Sequence, residues 1–506
     1  MLAKLASASL HGLDAEAVAV EVDLSRGIPG WSMVGLADAS VRESKDRVRA
    51  ALLNGGFTFP LARITVNLAP ADRRKVGAYF DLPVAIGILQ ASEQIAGSTP
   101  PQSMPPFMVG ELALNGALNP VTGILPLAIF AQKEGFTTMI VPAANADEAS
   151  LVPQLKVLAA NHLLDVAQHL SGEKTLEEHC SGSGTNQSRS ATTPILDMND
   201  VRGQQQAKQA LEIAAAGRHA LLMSGNPGVG KSMLAMRMPG IMPPLTDREA
   251  LDVARIRSIQ GEAVTTISHL PPFVSPHHTA SDIAIIGGGS TPRPGECSRA
   301  HLGILFLDEL PEFKRAVLEV LRQPLESGEV TIARATDSIK FPAKFQLVAA
   351  MNPCPCGYLD HPQRSCQCSQ QQIQRYRNRI SGPLLDRFDL RITLPAVDHD
   401  ELTSMQPGES SADIRQRVIT ARQLQLSRQG CSNSELTPRG VEQWAKPDRE
   451  GHALLQSAMR RFALSARGYH RLLKVARTIA DLAGCNQIES QHIAEALQFR
   501  DDQIPR

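Results

Sequence analysis

The sequence predicts an α/β chain built on a parallel sheet, with a mixed block of strands and helices before it and a helical block after it. Three observations lead there. His219 to Met223 (HALLM) is a short apolar run that leads into a glycine-rich loop, and Leu302 to Leu307 (LGILFL) and Phe345 to Ala350 (FQLVAA) are further apolar runs of strand length. Helical segments separate these runs, as they do when parallel strands are joined by crossovers. After Pro395 the apolar spacing is helical to the end, over Ala412–Leu426, Pro438–Trp444, Gly451–Phe462, Tyr469–Leu482 and Ser490–Gln498. This last block reads as a separate helical domain.

Length and charge bound the rest. A chain of 506 residues suggests about three domains. Residues 1–170 mix short β-rich runs with helical stretches and carry 12 basic against 15 acidic residues. The stretch 171–198, with SGSGTNQSRSATT inside it, lacks apolar periodicity and reads as an exposed linker. The α/β core then spans 199–400, opened by a helix over Gln204 to Ala215, and the helical block 401–506. From 201 onward there are 37 basic and 31 acidic residues, so the basic excess sits there although Lys plus Arg and Asp plus Glu are 51 each overall. That balance excludes a histone-like coat and an acidic disordered chain. Aromatics at 4% argue against base stacking as the main binding device. No run of 18 uncharged apolar residues suggests a membrane span. The opening MLAKLASASLHGLDAE turns acidic too soon for a signal peptide, and eight cysteines are too sparse for a secreted framework. The expected setting is cytoplasmic.

The glycine loop carries the chemistry. Gly225, Asn226, Pro227, Gly228, Val229, Gly230, Lys231 and Ser232 match G-x-x-x-x-G-K-[ST] in full, after a strand and before a helix. Glycines let successive N–H groups wrap a polyphosphate at a helix N-terminus. Lys231 is placed for the β- and γ-phosphates, and the Ser232 hydroxyl for Mg²⁺. The run LGILFL ends in Asp308 and Glu309, where one carboxylate holds Mg²⁺ and the next orients the attacking water. Two carboxylates opening a helix are the plain alternative. Asn352 ends VAAMNP and either holds the lytic water or starts an Asn-Pro turn. Arg387, in SGPLLDRFDL, is either an arginine finger for a neighbouring subunit or an ion pair with its flanking Asp386 and Asp389.

Cys354, Cys356, Cys366 and Cys368 follow as C-x-C-x9-C-x-C, four thiolates able to close a tetrahedral Zn²⁺ site or simply four reduced cysteines. Cys180, Cys297, Cys431 and Cys485 are scattered. Ile373 to Ile380 sets Tyr376 among Arg375, Arg377 and Arg379, a subunit interface or a phosphate-backbone contact. Arg73, Arg74 and Lys75 read as a solvated charge run, with a DNA- or partner-facing turn as the alternative.

GNPGVGKS, LFLDEL, VAAMNPCPCG and ISGPLLDRFDL together resemble an AAA+ P-loop ATPase of the magnesium-chelatase-like branch. The segment VRGQQQAKQALEIAAAGRHALL is similar to the start of that module, which would set Val201 to Gln204 near the adenine. Pro276 to Gly289 resembles the branch's insertion, and Glu329 to Phe341 its hairpin before the sensor strand. LSARGYHRLLKVARTIADL is similar to a lid helix, which implies Arg467 as second sensor acting in cis, with Arg471 the runner-up. GIPGWSMVGLADASVRESKDRVRAAL and GELALNGALNPVTGILPLA resemble the ComM/YifB-like family, and the likeness covers nearly the whole chain apart from the linker. It implies an N-terminal α+β domain similar to Lon-protease and ribosomal-S5-like folds, an AAA+ core and an α-helical lid. It implies ATP and Mg²⁺ as cofactors, DNA and further copies of the chain in a hexamer as partners, and branch migration in homologous recombination and natural transformation. Val76 to Ala91 holds no serine and 76–132 no lysine, so a Ser-Lys protease dyad is not expected. Under the DNA reading the Glu329–Phe341 hairpin, with Arg334 and Lys340, is the expected contact. A magnesium-chelatase motor subunit and a protein-remodelling or transcription-related module are the alternatives.

Overall fold

The computed structural model describes residues 1–95, 104–179, 196–289, 292–333, 338–395, 408–462 and 465–500. Most of the predicted linker and Arg334 of the hairpin lie outside them. The chain divides into two units, residues 1–190 with 254–268 and residues 191–253 with 269–506. Residues 254–268, inside the stretch read from sequence as the core, group with the first unit.

In the first unit, β1 (Leu2–His11), β2 (Asp14–Ser25), β3 (Gly30–Val34), β4 (Arg63–Ala69), β5 (Phe107–Met108), β8 (Thr138–Pro142) and β9 (Lys156–Ala160) form one sheet of order β3-β4-β2-β1-β5-β8-β9, with β6 (Glu111–Leu112) and β7 (Leu118–Asn119) as a small ladder beside it. β1, β2 and β4 are antiparallel neighbours, and β5, β8 and β9 run parallel. Along β2 buried and half-buried residues alternate, as expected of a sheet with one covered face. The helix Asp81–Ala91 is buried on nearly every side, so its apolar run DLPVAIGILQA shows no face.

In the arginine and lysine triplet of this unit Arg73 and Arg74 are exposed, as a solvated run would be, but Lys75 is not. Lys75 is 2% exposed, and its ammonium donates to the Pro70 and Arg73 carbonyls, while Arg73 pairs with Glu16.

In the second unit, β10 (Leu221–Gly225), β11 (Phe273–Val274), β14 (Ile304–Leu307), β17 (Gln346–Met351) and β18 (Leu390–Leu394) form a parallel sheet of order β11-β14-β17-β10-β18. β10, β14 and β17 are buried at every residue, which is why they read as continuous apolar runs. β12 (Gly287–Gly288) and β13 (Arg293–Pro294) pair in the insertion, and β15 (Glu329–Ala333) with β16 (Ser338–Pro342) in the hairpin.

The C-terminal helices begin at coded caps. Ser410, Thr437 and Ser465 each accept a backbone N–H at the head of Ser411–Gln429, Pro438–Trp444 and Ala466–Leu482. These helices do not form a domain with its own core. Val418, Leu472, Ala476 and Ile493 join Leu221, Val348 and Ala214 in a single hydrophobic cluster. A buried polar network reinforces the joint. His219 bonds Asp389 at 3.0 Å and Thr478 at 2.7 Å, and Asn433 donates to Thr478 and to Asp481, which also takes Arg428 and Arg477.

Candidate active site

The site lies at the carboxyl ends of the parallel strands, where β10 runs into the glycine loop and on to the helix Lys231–Ile241. Gly228 and Gly230 have φ of +84° and +91°, left-handed values that a side chain would resist. Lys231 is 8% exposed, and its ammonium donates to the Gly225 carbonyl at 2.6 Å, the Asn226 carbonyl at 2.9 Å and Asn352 Oδ1 at 3.1 Å. Burial holds its pKa below the ordinary lysine range, against the opposing pull of Asp308 and Glu309. The lysine thus rests on three oxygens of its own chain, which a phosphate can replace.

Asp308 follows β14 and Asn352 follows β17, so both stand at the same edge as the loop. The Ser232 hydroxyl donates to Asp308 Oδ2 at 2.6 Å. A hydroxyl and a carboxylate converging beside a phosphate loop are the donor set that Mg²⁺ takes, so the residues fit that ion. Glu309 stands next, with φ of +52°, its N–H on Asp308 Oδ1 and its side chain half exposed. A non-glycine residue in this region stores strain that the surroundings must hold. His278 lies 3.5 Å from the Glu309 carboxylate. His278 and Glu309 stand 31 positions apart, so nothing in local spacing ties them together.

Asn226 turns away from the phosphate side. Its Nδ2 donates to the Gly357 carbonyl at 2.7 Å and more weakly to that of Leu359 at 3.3 Å. The loop carrying Cys354, Cys356, Cys366 and Cys368 therefore backs the phosphate loop, and the four sulfurs lie within 4.8 Å of one another. Val201 is buried in the core, and Gln204 donates to the Pro395 carbonyl.

The arginines gather elsewhere. Arg387, Arg467 and Arg471 line a cleft of about 630 Å³ with Glu326, Asp386, Phe345 and Gln346. Ala220, Gln346 and Asp389 lie at the amino ends of β10, β17 and β18, so this cleft is at the opposite edge of the sheet from the phosphate loop. A five-residue strand such as β10 separates the two edges by roughly 15 Å. The expected pairing of Arg387 with its flanking aspartates is not made. Arg387 pairs with Glu326, Asp386 takes Arg471 at 3.1 Å, and Asp389 takes His219. Burial and the neighbouring Arg467, Arg322 and Arg471 lower the Arg387 pKa, and its Nε is buried without a partner. Arg467 accompanies Arg387 in this cleft and not Lys231. Tyr376 is 5% exposed, Arg377 holds the Pro353 carbonyl and Arg379 pairs with Glu312 at 2.8 Å, while Arg375 is exposed.

A parallel sheet of this order, a complete phosphate loop and an Asp-Glu pair at the next strand end but one define an AAA+ P-loop ATPase of magnesium-chelatase type. The comparisons agree. Residues 197–402 match the family model described as magnesium chelatase, subunit ChlI, residues 408–500 its C-terminal model, and residues 20–145 a further model for subunit ChlI of Mg-chelatase. The chain is 48% identical to the competence protein ComM of Haemophilus influenzae over 99% of this chain and 97% of that one. It is 44% identical to the protein YifB of Escherichia coli over 97% and 95%. The magnesium-chelatase 38 kDa subunit of Rhodobacter capsulatus is 24% identical over 60% of this chain and 85% of its own. The chain belongs to the ComM/YifB-like family of magnesium-chelatase-related proteins. Among the described residues no helix is long and apolar enough to cross a membrane.

Proposed function

We propose that this chain is an ATP-driven DNA motor that assembles as a ring, a hexamer, and moves branched DNA during homologous recombination and natural transformation. The observation that carries the ATPase part is the convergence of Lys231, Asn352, Ser232 and Asp308 at one sheet edge. The γ-phosphate takes the Lys231 ammonium from its resting carbonyls, and Asn352 reports that exchange. Ser232 and Asp308 would hold Mg²⁺, which when bound neutralises phosphate charge. Glu309 accepts a proton from the attacking water, and the proton leaves through its exposed side. Arg387 and Arg467 line the cleft at the opposite edge of the sheet from Lys231, which supports action on a neighbour's site in a ring. The N-terminal block serves as a Lon-like domain without a protease dyad.

DNA as substrate rests on the relationship to a competence protein and on the basic excess of the second unit. Lys340 of the β15–β16 hairpin, 67% exposed and paired with Glu329, is the contact we assign to it. DNA-stimulated ATP hydrolysis tests the reading: turnover rises on adding single-stranded or branched DNA and vanishes in Lys231→Ala. Turnover indifferent to every DNA form would favour a chelatase-type motor instead.

A further inference from the structure

The loop 353–368 has a composition no hydrophobic core explains. Of its four cysteines only Cys354 is fully buried, and Cys356, Cys366 and Cys368 are half-buried on a surface turn. Their sulfurs nevertheless converge. Cys354 Sγ lies 3.4 Å from Cys356 Sγ and 3.6 Å from Cys366 Sγ, and Cys356 Sγ lies 3.6 Å from Cys366 Sγ. These are not disulfides, and all four thiols are free. Four sulfurs about 2.3 Å from one zinc ion stand about 3.8 Å apart at the corners of a tetrahedron. The sulfurs of Cys354, Cys356 and Cys366 are spaced close to that, and Cys368 Sγ lies within 4.8 Å of them.

The backbone between the two cysteine pairs is turned by its own hydrogen bonds: the Gly357 N–H bonds the Cys354 carbonyl at 3.0 Å, and the His361 N–H that of Tyr358 at 3.2 Å. His361 accepts the N–H groups of Gln363 and Arg364 and is occupied in turning the chain between the two cysteine pairs.

This loop is also fastened to the nucleotide site. Gly357, directly after Cys356, gives its carbonyl to Asn226 of the phosphate loop, and Asn352, two residues before Cys354, accepts from Lys231. Gly357 packs so closely on Pro227 that a Cβ there would stand 2.6 Å from its ring.

We propose that Cys354, Cys356, Cys366 and Cys368 hold one Zn²⁺ ion, and that this ion, by fixing the Gly357 carbonyl under Asn226, sets the affinity of the phosphate loop for ATP. Zinc is the expected occupant because a closed set of four thiolates with no open position gives a structural site. The coupling rests on the ATP reading of the glycine loop, while the ion site stands on the sulfur geometry.

The experiment uses the full chain purified under reducing conditions. Metal content is measured by inductively coupled plasma mass spectrometry, and binding of a fluorescent non-hydrolysable ATP analogue is titrated before chelator dialysis, after it, and after zinc is restored. One zinc per chain is expected. Losing the Asn226 anchor weakens the analogue about five- to tenfold, as the loss of one well-placed hydrogen bond does, and added zinc restores it. Asn226→Ala should keep its zinc, show the same weakening and no longer respond to the chelator. Lys231→Ala should keep its zinc and lose the analogue. Cys366→Ser with Cys368→Ser should lose the ion, and the untouched chain under chelator gives the same answer should that variant fold poorly. A native chain without zinc, or with iron in its place, overturns the ion assignment. A zinc-free chain that binds the analogue as tightly as the loaded one overturns the coupling. A loaded chain that binds no nucleotide overturns the ATP reading and the coupling with it.

Discussion

At the scale of single residues, the site is set by how few groups serve the phosphate and how tightly each is held. Lys231 is buried with its ammonium on three oxygens beside the glycine loop, so Lys231→Ala should abolish ATP binding in the same titration. Glu309 is held differently. Its left-handed backbone turns the carboxylate toward the open side, where it lies near His278. Glu309→Gln keeps the shape and removes the base, so ATP binding should persist while turnover falls about 10²- to 10⁴-fold. Near-normal turnover would remove Glu309 from the mechanism. A third residue controls stability rather than chemistry. His301 is 8% exposed, accepts the Lys344 N–H, and is pushed down to about 4, chiefly by burial. Its folded form is neutral, so no penalty exists above pH 6.5. Between pH 6.5 and about 4 the unfolded chain binds a proton the folded chain refuses, and stability falls by about 3 kcal/mol. His301→Gln should flatten that part of the pH–stability curve measured by urea unfolding.

At the scale of elements, two attachments matter. Gly357 has a φ of +82°, and its Cβ position is blocked by Pro227. Gly357→Ala should push the cysteine loop off the phosphate loop and weaken nucleotide binding, with zinc retained. The second attachment is the network that fastens the helix Ala466–Leu482 to the sheet. Asp481, 3% exposed, receives Arg428, Arg477 and Asn433. Asp481→Ala takes the carboxylate from the buried Arg477 and the half-buried Arg428, leaving them only neutral carbonyl and amide oxygens, and should cost about 3 kcal/mol in chemical unfolding.

This is also the scale at which the sequence was most legible. The strand ending at Gly225, the loop and the following helix are contiguous, so one motif carries their whole geometry. The helices after residue 408 announced themselves by apolar spacing. What spacing could not carry were the long-range choices. Arg387 passes over its adjacent aspartates for Glu326, 61 positions away, because Asp389 is taken by His219 and Asp386 by Arg471. The packing of 254–268 with the first unit, and of Asn226 on Gly357, are likewise contacts between distant segments.

At the scale of the whole molecule, the charge balance acquires a meaning. A chain with no net charge gains its basic excess in the ATPase half, and a ring would repeat a few exposed groups such as Lys340 around one axis. The arginine cleft at the far edge of the sheet gives the ring account its own check. Lys231→Ala subunits keep Arg387 and should bind no ATP, and Arg387→Ala subunits should bind ATP but lack the proposed finger. Each alone should be nearly inactive, and mixing them should restore part of the ATPase activity. No restoration at any ratio would place the arginine in its own site. The central claim is tested most directly on a synthetic four-way DNA junction with labelled arms. The full chain with ATP should convert it into separated duplex products, and Lys231→Ala should leave it unmoved. A chain that hydrolyses ATP and binds the junction, yet never moves it, would contradict the account.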